Sequence, residues 1–251
     1  AIPKYYFGEH LVLWRDNDGA FHLQDAFCPH LGAHLGHGGF VVENELECPF
    51  HGWRFDGEGA NTCIPYSERV NKKAKLRTYP TIERNGIVLS WYHPDPDVEP
   101  QWEIPVVPEF NAETGFSAVK TRQYTVQAAC QELSENGADP AHFRYVHHTE
   151  VVPEVEEYTI DGPRTVMLSS QKFPTPRGVV EGRIDVSNFG PGFAVTKFSG
   201  IVDTFLMGCA TPIDADTTEL HFTFTVAQVG DDNTTSSVGD AFVAEVDKQV
   251  Q

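Results

Sequence analysis

The chain has 251 residues, of which 40% are hydrophobic and 22% charged, and its formal net charge is −18. This composition is ordinary for a globular protein with a sizeable core. The negative charge argues against nucleic-acid binding, because phosphate recognition needs an excess of Lys and Arg. No apolar run reaches 18 residues, so no membrane span is expected. Five Cys, an odd count, favour a reducing compartment, and we expect a cytoplasmic location.

Short strands and tight turns are predicted at the start of the chain. Residues 11–14 and 20–23 flank a turn sequence that ends in Asp18-Gly19, which indicates a β-hairpin. A second hairpin is predicted over residues 81–89, around Asn85-Gly86. The Pro-rich, acidic segment 96–108 follows. We interpret it as a linker between a first domain at 1–95 and a second domain at 109–251.

The second domain is predicted to combine helices with an antiparallel sheet. A helix is expected over residues 128–148, and an apolar stripe predicts a terminal helix over 238–251. That stripe stops without a terminator, so we expect the helix to continue beyond Gln251. Between the helices lie strand-like runs at 158–160, 165–168, 179–186, 193–198, 201–207 and 220–229. A sheet held between helices is a plausible cup for an apolar ligand.

Two Cys/His pairs form the first candidate metal site. Cys28 and His30 lie on one Gly- and Pro-flanked loop, and Cys48 and His51 lie on another. Two Cys and two His suit either a closed tetrahedral zinc site or a Rieske [2Fe–2S] centre, in which each iron takes two ligands of one kind. Each loop carries one ligand of each kind, and a C-x-H spacing is unusual for zinc. The pattern therefore favours the Rieske centre.

A D-x-x-H-x-x-x-x-H pattern forms the second candidate site. Non-haem iron oxygenases bind iron through two His and one carboxylate, which leaves positions open for O₂. Asp139 can cap a helix that starts at Pro140, with its carboxylate within reach of His142. His142 and His147 lie about 140° apart on an ideal helix, so the helix must bend, end or bulge between them. Taken alone, the pattern also fits a chance match.

Both sites resemble motifs of one known family, the Rieske non-haem iron oxygenases. The Cys/His loops, with Gly52-Trp53 and residues 64–66, are similar to the Rieske motif of its oxygenase (alpha) subunits. Segment 135–147 looks like the family's E-N-x-x-D-x-x-H-x-x-x-x-H iron motif. The resemblance implies an α+β chain: an N-terminal all-β Rieske domain, expected to lack its first strands, and then a helix-grip (START-like) catalytic domain with a curved antiparallel sheet.

The resemblance also implies a role for each matching residue. Cys28 and Cys48 would hold one iron of the cluster, and His30 and His51 the other. His142 and His147 would bind the mononuclear iron, and Asp139 would link the two centres. Asn136 is a further candidate catalytic residue. In the family this link joins neighbouring subunits of a head-to-tail ring, so a homotrimer is expected.

The third iron ligand in the family is a carboxylate on the terminal helix. Matching that helix places it shortly beyond Gln251, outside this sequence. Asp240, Glu245 and Asp247 are the carboxylates at hand, and a solvated helix face explains them better. Three further thiols, Cys63, Cys130 and Cys209, have no metal-binding neighbour at close spacing and are predicted to be ordinary half-buried residues.

The implied activity is that of a terminal oxygenase component that uses O₂ and electrons from an NAD(P)H-dependent reductase with flavin and ferredoxin-type centres. Residues 64–69 and the spacing from Asn136 to His147 look closest to the steroid-acting branch of 3-ketosteroid 9α-hydroxylases and cholesterol desaturases. We therefore expect hydroxylation or desaturation of a small, apolar, steroid-like substrate. An aromatic or quaternary-ammonium substrate, a Rieske electron carrier and a zinc module are the alternatives.

A basic cluster stands out in the acidic chain. Its members are Arg69, Lys72, Lys73, Lys75 and Arg77. Two interpretations fit: a docking site for an acidic ferredoxin-like partner, or the solvated edge of a strand.

Overall fold

The computed structural model describes residues 1–111, 115–146, 149, 151–175 and 178–250. The chain divides into two compact units, Ala1–Gln101 and Trp102–Gln251. In its described part the first unit contains strands and no helix, whereas the second combines a large sheet with helices.

The first unit contains two four-stranded antiparallel sheets and one separate hairpin. One sheet has the order β1-β2-β3-β8, the other has the order β4-β5-β6-β7, and β9 pairs with β10. The strands are β1 (Ile2–Tyr6), β2 (Glu9–Arg15), β3 (Phe21–Asp25), β4 (Phe40–Val42), β5 (Glu45–Glu47), β6 (Arg54–Phe55), β7 (Asn61–Cys63), β8 (Thr78–Tyr79), β9 (Thr81–Arg84) and β10 (Ile87–Ser90).

Both predicted hairpins are confirmed. In the first, β2 pairs with β3, and the turn is closed by Asp16, whose Oδ1 accepts a 2.8 Å bond from the Ala20 N–H. In the second, β9 pairs with β10 through Asn85 and Gly86, which both have positive φ (56° and 76°). A two-residue turn with two positive φ angles matches the twist of the strands it joins.

The core of the first unit extends up to the Cys/His loops. Trp14, Leu46 and Phe55 are buried in one cluster with both Cys28 and Cys48. One buried polar side chain of this unit is well paired: Gln24, which is fully buried, accepts a bond from the Trp14 indole (3.1 Å) and donates to the backbone oxygen of Asp56 (2.8 Å). The two loops therefore rest on a packed and hydrogen-bonded base.

The second unit is built on a seven-stranded antiparallel sheet. Its strand order is β11-β17-β16-β15-β14-β13-β12. The strands are β11 (Lys120–Val126), β12 (Glu154–Asp161), β13 (Arg164–Thr175), β14 (Gly178–Phe189), β15 (Phe193–Ser199), β16 (Thr204–Pro212) and β17 (Thr218–Val226). The helices are α1 (Cys130–Asn136), α2 (His142–Tyr145) and α3 (Asp232–Val250), and a 3₁₀ turn spans Pro108–Phe110. All six predicted strands are present, and β11 is an addition.

Helices α2 and α3 cover the same face of this sheet. Met167 and Ile184, neighbours on that face, pack against Phe143 of α2. Phe242 of α3 packs edge-on against Phe198, at 5.1 Å between ring centroids, and Phe198 pairs with Ile184 across the strands. Both helices therefore pack on the sheet face that carries Met167, Ile184 and Phe198. In the described part of the chain, no helix is long and apolar enough to cross a bilayer.

The single helix predicted over 128–148 is wrong, because the structure divides it in two. α1 ends at Asn136, and α2 is one turn long, from His142 to Tyr145. Pro140 lies between them, and proline inside a helix removes a hydrogen bond and clashes with the preceding turn. The Asp139 carboxylate accepts the Ala141 N–H at 2.8 Å, which gives the interrupted backbone a local partner.

The terminal helix begins earlier than predicted. α3 starts at Asp232 rather than at residue 238. The preceding residue, Asp231, accepts bonds from the Thr234 N–H (2.8 Å) and the Thr234 hydroxyl (2.6 Å). Asp is a favoured N-cap, so Asp231 was a start signal that the search for apolar residues passed over.

Candidate metal centres

The first Cys/His loop folds back on its cysteine. The Cys28 carbonyl accepts the Gly32 N–H at 2.9 Å, and the Cys28 N–H donates to the Ala33 carbonyl at 2.9 Å. Gly32 has φ of 76°, a conformation that glycine adopts at little cost. The reversal turns the backbone sharply behind the cysteine and leaves His30 at the tip of the loop.

The second loop repeats this geometry. The Cys48 carbonyl accepts the Gly52 N–H at 3.0 Å, and the Cys48 N–H donates to the Trp53 carbonyl at 2.8 Å. Gly52 has φ of 67°. Its close packing leaves no room for a side chain, since a Cβ atom there would lie 2.9 Å from Cγ of Pro65. Two loops of the same fold thus present one Cys and one His each.

The two cysteines face each other in the core. Cys28 and Cys48 are free thiols, each only 2% exposed, and they are close enough for Cys48 to contribute to the raised pKa of Cys28. Burial raises the pKa of the Cys28 thiol to about 11, while backbone N–H groups of His30 and Leu31 hydrogen-bond to it and oppose that rise. Backbone bonds to sulfur are a feature of iron–sulfur sites.

The two histidines also lie together. The rings of His30 and His51 are 4.7 Å apart between centroids, at 69°. Nδ1 of His30 is buried and has no hydrogen-bond partner among the described residues. A buried nitrogen without a partner is costly, and a metal ligand is one role that removes the cost.

This donor set fits a [2Fe–2S] cluster better than a single ion. Tetrahedral zinc would need its ligands to converge on one point. Among the residues that the structure describes, no three His, Cys, Asp or Glu side chains converge in that way. Two adjacent sulfurs and two adjacent imidazoles instead suit a Rieske cluster, whose irons take two Cys and two His respectively.

Aromatic side chains frame the histidine end of the site. The Trp53 indole lies parallel to the His30 ring, with 4.5 Å between centroids and 5° between planes. Trp53 Nε1–H donates to the Tyr66 hydroxyl at 2.7 Å. Phe50 packs on His51 at 4.0 Å and is 62% exposed. The His30 ring is therefore oriented by packing, whereas the side near His51 opens to solvent.

The second predicted site is described only in part. His142 opens α2, and its Nδ1 bonds the backbone oxygen of Asp139, whereas the sequence suggested a bond to the carboxylate. α2 ends at Tyr145, which answers the question raised by the five-residue spacing: the helix ends between the two histidines. His147 lies outside the described residues. Asn136, the last residue of α1, is exposed, and its carbonyl accepts the Asp139 N–H at 3.3 Å.

The three carboxylates considered on α3 form bonds at the helix surface. Asp240 accepts a 2.6 Å bond from Lys120, and Asp247 accepts a 2.5 Å bond from the Tyr124 hydroxyl. Glu245 pairs within α3. Asp240 and Asp247 thus fasten α3 to β11, a structural use that the sequence interpretation did not foresee.

A cavity of about 220 Å³ lies beside the loop that precedes α2. Its lining includes Ser134, Ala138, Tyr158, Thr165, Asn188 and Pro191. Thr165 and Asn188 pair across β13 and β14, and the Asn188 amide donates to the Thr165 hydroxyl at 2.9 Å. They share the sheet face of Met167 and Val186, the face that Phe143 covers. Sequence reasoning missed this pair, because only strand register brings the two residues together.

The paired loops and their two-plus-two donor set define the first unit as a Rieske-type iron–sulfur domain, set before a helix-grip domain. Comparison with known families agrees: residues 2–80 match the Rieske [2Fe-2S] domain, and residues 90–251 match the 3-ketosteroid 9α-hydroxylase C-terminal domain. The chain belongs to this family of Rieske oxygenases. The family resemblance and the α+β fold class predicted from the sequence are both confirmed.

Relatives in sequence are steroid enzymes by name. The chain is 43% identical over 150 residues to cholesterol 7-desaturase nvd of Xenopus laevis, which covers 59% of this chain and 33% of that protein. It is 44% identical over 144 residues to cholesterol 7-desaturase of Caenorhabditis elegans (56% and 33%). It is 31% identical over 225 residues to the oxygenase component of 3-ketosteroid-9-alpha-monooxygenase of Rhodococcus rhodochrous (84% and 56%). These matches span between one third and just over half of the relatives' lengths.

Solved structures show the same fold. Dicamba monooxygenase bound to 3,6-dichlorosalicylic acid superposes with a TM-score of 0.80 at 20% identity, covering 97% of this chain and 78% of that one. NdmA of Pseudomonas putida CBB5 with caffeine gives a TM-score of 0.76 at 20% identity, covering 99% and 73%. At this identity the likeness supports the architecture alone.

Proposed function

We propose that this chain is the terminal oxygenase component of a Rieske monooxygenase that hydroxylates or desaturates an apolar, steroid-like substrate. The observation that carries the proposal is the first metal centre, with its adjacent thiols and the buried, unpartnered Nδ1 of His30. Relatives named for cholesterol and for 3-ketosteroids support a steroid substrate. Five free thiols suit the proposed cytoplasmic location.

The proposed ligands follow the motifs. Cys28 and Cys48 would hold one iron of the cluster, and His30 and His51 the other. His142 and His147 would hold the mononuclear iron. When bound, the cluster supplies single electrons and the mononuclear iron supplies the site at which O₂ is used.

The protein's own contribution is orientation. Parallel stacking on Trp53 fixes the plane of the His30 ring, and the carbonyl of Asp139 fixes His142 through Nδ1. Hydrogen bonds of this kind to a ligand imidazole set its tautomer and raise its basicity. The Phe143 side chain of α2 packs on the apolar sheet face below the helix and keeps water from it.

A homotrimer is proposed because each chain leaves two different surfaces exposed, one beside each metal centre, that can pair between neighbouring copies. Asp139 is exposed, and we assign it to link His142 with His51 of another copy. Phe50, beside His51, is 62% exposed, while Tyr145 and Val146, beside the second site, are 74% and 59% exposed. Two different apolar surfaces on one chain suit a head-to-tail interface that closes into a ring.

The substrate would bind in the cup of the second unit. Its polar end is formed by Asn188 and Thr165, which line the cavity, and the same sheet face continues into the buried apolar cluster of Met167 and Val186. A mostly apolar cavity with a few placed polar groups suits a steroid with one oxygen function. Electrons would come from an NAD(P)H-dependent reductase with flavin and ferredoxin-type centres, since a relative is named as one component of a larger system.

The test combines spectroscopy with product analysis. Purified protein should contain iron, show a Rieske EPR signal when reduced, and convert cholesterol or a 3-ketosteroid with reductase, NAD(P)H and O₂. His142→Ala should keep the EPR signal and lose all product, whereas His221→Ala, a matched histidine on β17, should keep both. Zinc in place of iron, or full product formation by His142→Ala, would refute the proposal.

A further inference from the structure

Four cations form an exposed basic loop in the first unit. The basic loop comprises Arg69, Lys72, Lys73 and Lys75, all exposed, in a chain with 36 acidic and only 18 basic residues. Within the described part of the chain, none of the four forms an ion pair with a carboxylate, although nine ion pairs occur elsewhere. Such a concentration of unpaired positive charge creates a local field opposite in sign to the rest of the molecule.

Arg77, the fifth member of the cluster predicted from the sequence, has a different role. It is only partly exposed, and its guanidinium donates to the His93 carbonyl at 2.6 Å. It also lies over the Tyr79 ring, 4.7 Å from the centroid. Arg77 therefore belongs to the packing of the first unit and is not part of the basic loop.

The basic loop is held in place by backbone hydrogen bonds and by the uncharged residues that lie between its four cations. The Asn71 N–H donates to Oδ1 of Asn61 at 2.9 Å, and the Lys73 N–H donates to Oδ1 of Asn71 at 3.1 Å. Ala74 is buried in the core. A fixed loop with solvated charges is suited to binding, because it loses little conformational entropy on association. The loop lies outside the named strands, with one isolated bridge at Lys75, so the strand-edge interpretation does not describe it.

The basic loop adjoins the histidine end of the first metal centre. Tyr66, three residues before Arg69, is 63% exposed and accepts the Trp53 indole N–H at 2.7 Å. Trp53 in turn stacks on His30. Two aromatic side chains in contact thus join the protein surface beside the basic loop to a proposed cluster ligand.

We infer that the basic loop, together with Tyr66, is the docking surface for an acidic, ferredoxin-type electron donor. The inference rests on the proposed function, since an oxygenase component must receive electrons from a separate protein. Charge complementarity identifies the binding partner. A chain with a net charge of −18 repels a polyanion as a whole, but a compact acidic patch on a partner can bind this one basic loop. Complementary charges of this kind steer association and weaken with added salt.

The test measures binding directly, with a plant-type [2Fe–2S] ferredoxin as the probe. Its Kd for the protein is determined by calorimetry at low and at high salt. Lys72→Gln with Lys73→Gln should weaken binding at low salt by about tenfold and flatten its salt dependence. Lys4→Gln with Lys248→Gln removes the same net charge elsewhere and should change Kd by less than about twofold. Glu68→Gln, which removes the only acid between Tyr66 and Lys75, should tighten binding.

Four results would overturn the inference. Equal weakening in the two double variants would mean that net charge alone matters, and salt-insensitive binding of the unaltered protein would exclude the electrostatic surface. If Lys72→Gln with Lys73→Gln changed the number of subunits on sedimentation and left ferredoxin binding intact, the loop would be assigned to contacts between copies of this chain. The reduced Rieske EPR signal distinguishes failure of the proposed function from failure of the docking surface. Its absence refutes the proposed function. Its presence, with a Kd for ferredoxin that is unchanged in Lys72→Gln with Lys73→Gln, refutes the docking surface alone.

Discussion

The hydroxyl of Tyr124 on β11 donates a 2.5 Å hydrogen bond to Oδ1 of Asp247, near the end of α3. Arg122, two residues earlier on the same strand, donates to the other oxygen of Asp247 at 3.3 Å. This carboxylate therefore sets where the last turns of α3 lie against the sheet. Because the family's third iron ligand comes from that helix, the bond bears on the proposed second site.

Asp247→Asn should lower the pKa of Tyr124 and lower the free energy of unfolding of the protein in a pH-dependent way. Burial first, and then the bond to Asp247, raises the pKa of Tyr124 to about 12. With asparagine at 247 the second cause is lost, so the pKa should fall while staying above the ordinary 10.0 because burial remains. Absorbance of tyrosinate against pH, with Tyr124→Phe as the blank, measures this shift.

The stability effect of Asp247→Asn has a definite sign. The Tyr124 hydrogen bond holds the pKa of Asp247 below its ordinary value of 3.8, so the charged form is favoured in the folded state. That stabilisation is complete above the ordinary pKa and is lost as pH falls through the lowered one. The difference in free energy of unfolding between Asp247→Asn and the unaltered protein should therefore be largest near neutral pH and vanish in acid. Asp240→Asn, at a more exposed carboxylate, should show a smaller effect, and a pH-independent difference would contradict the assignment.

Gly32 and Gly52 hold equivalent positions in the two Cys/His loops and should differ in their tolerance of alanine. Both have positive φ, which costs an L-residue roughly 1–2 kcal/mol. At Gly32 a Cβ atom would meet nothing within 4 Å, whereas at Gly52 it would lie 2.9 Å from Pro65. Gly32→Ala should cost only the backbone penalty, and Gly52→Ala about 1–3 kcal/mol more from overpacking. Urea unfolding of the two variants measures the difference, and equal losses would show that Pro65 can move aside.

Cys48→Ser should abolish the Rieske EPR signal, since serine replaces a thiolate ligand with a poor one for iron–sulfur clusters. Cys63→Ser is the matched control, because Cys63 is also in the first unit but lies on β7 rather than in a Cys/His loop. It should keep the signal at full intensity. A cluster that survives Cys48→Ser, or one that is lost in Cys63→Ser, would mean that the ligands are wrongly assigned.

Local patterns carried most of what could be predicted from the sequence. The Asp18-Gly19 and Asn85-Gly86 turns specify their hairpins by chemistry within a few residues, and both hairpins are present. The strands from β12 to β17 were visible because their apolar residues stand between Gly, Pro and Asp breaks. Pro140 was equally visible and was expected at the first position of a helix capped by Asp139, so the single helix predicted over 128–148 should have been divided there.

Long-range pairing explains what was missed. β11 escaped notice because its Lys120, Arg122 and Tyr124 look like a solvated segment until α3 supplies their partners. Thr165 and Asn188 are separated by 22 residues of a hairpin and meet only through its register. The ligand roles of the Cys and His residues remain predictions that rest on the motifs and on the geometry of the first centre.

Asn188→Ala should impair substrate binding more than turnover. The Asn188 amide and the Thr165 hydroxyl are polar groups in a cavity that is otherwise largely apolar, and such groups orient a ligand. Loss of one hydrogen bond to a steroid oxygen, worth about 1 kcal/mol, should raise KM roughly fivefold and leave kcat within about twofold. Ser187→Ala, the adjacent residue on the opposite face of β14, should change neither constant. A steroid that lacks the oxygen should show the same KM with both variants and the unaltered protein. A KM for the oxygenated steroid that is unchanged in Asn188→Ala would show that the cavity does not hold the polar end of the substrate.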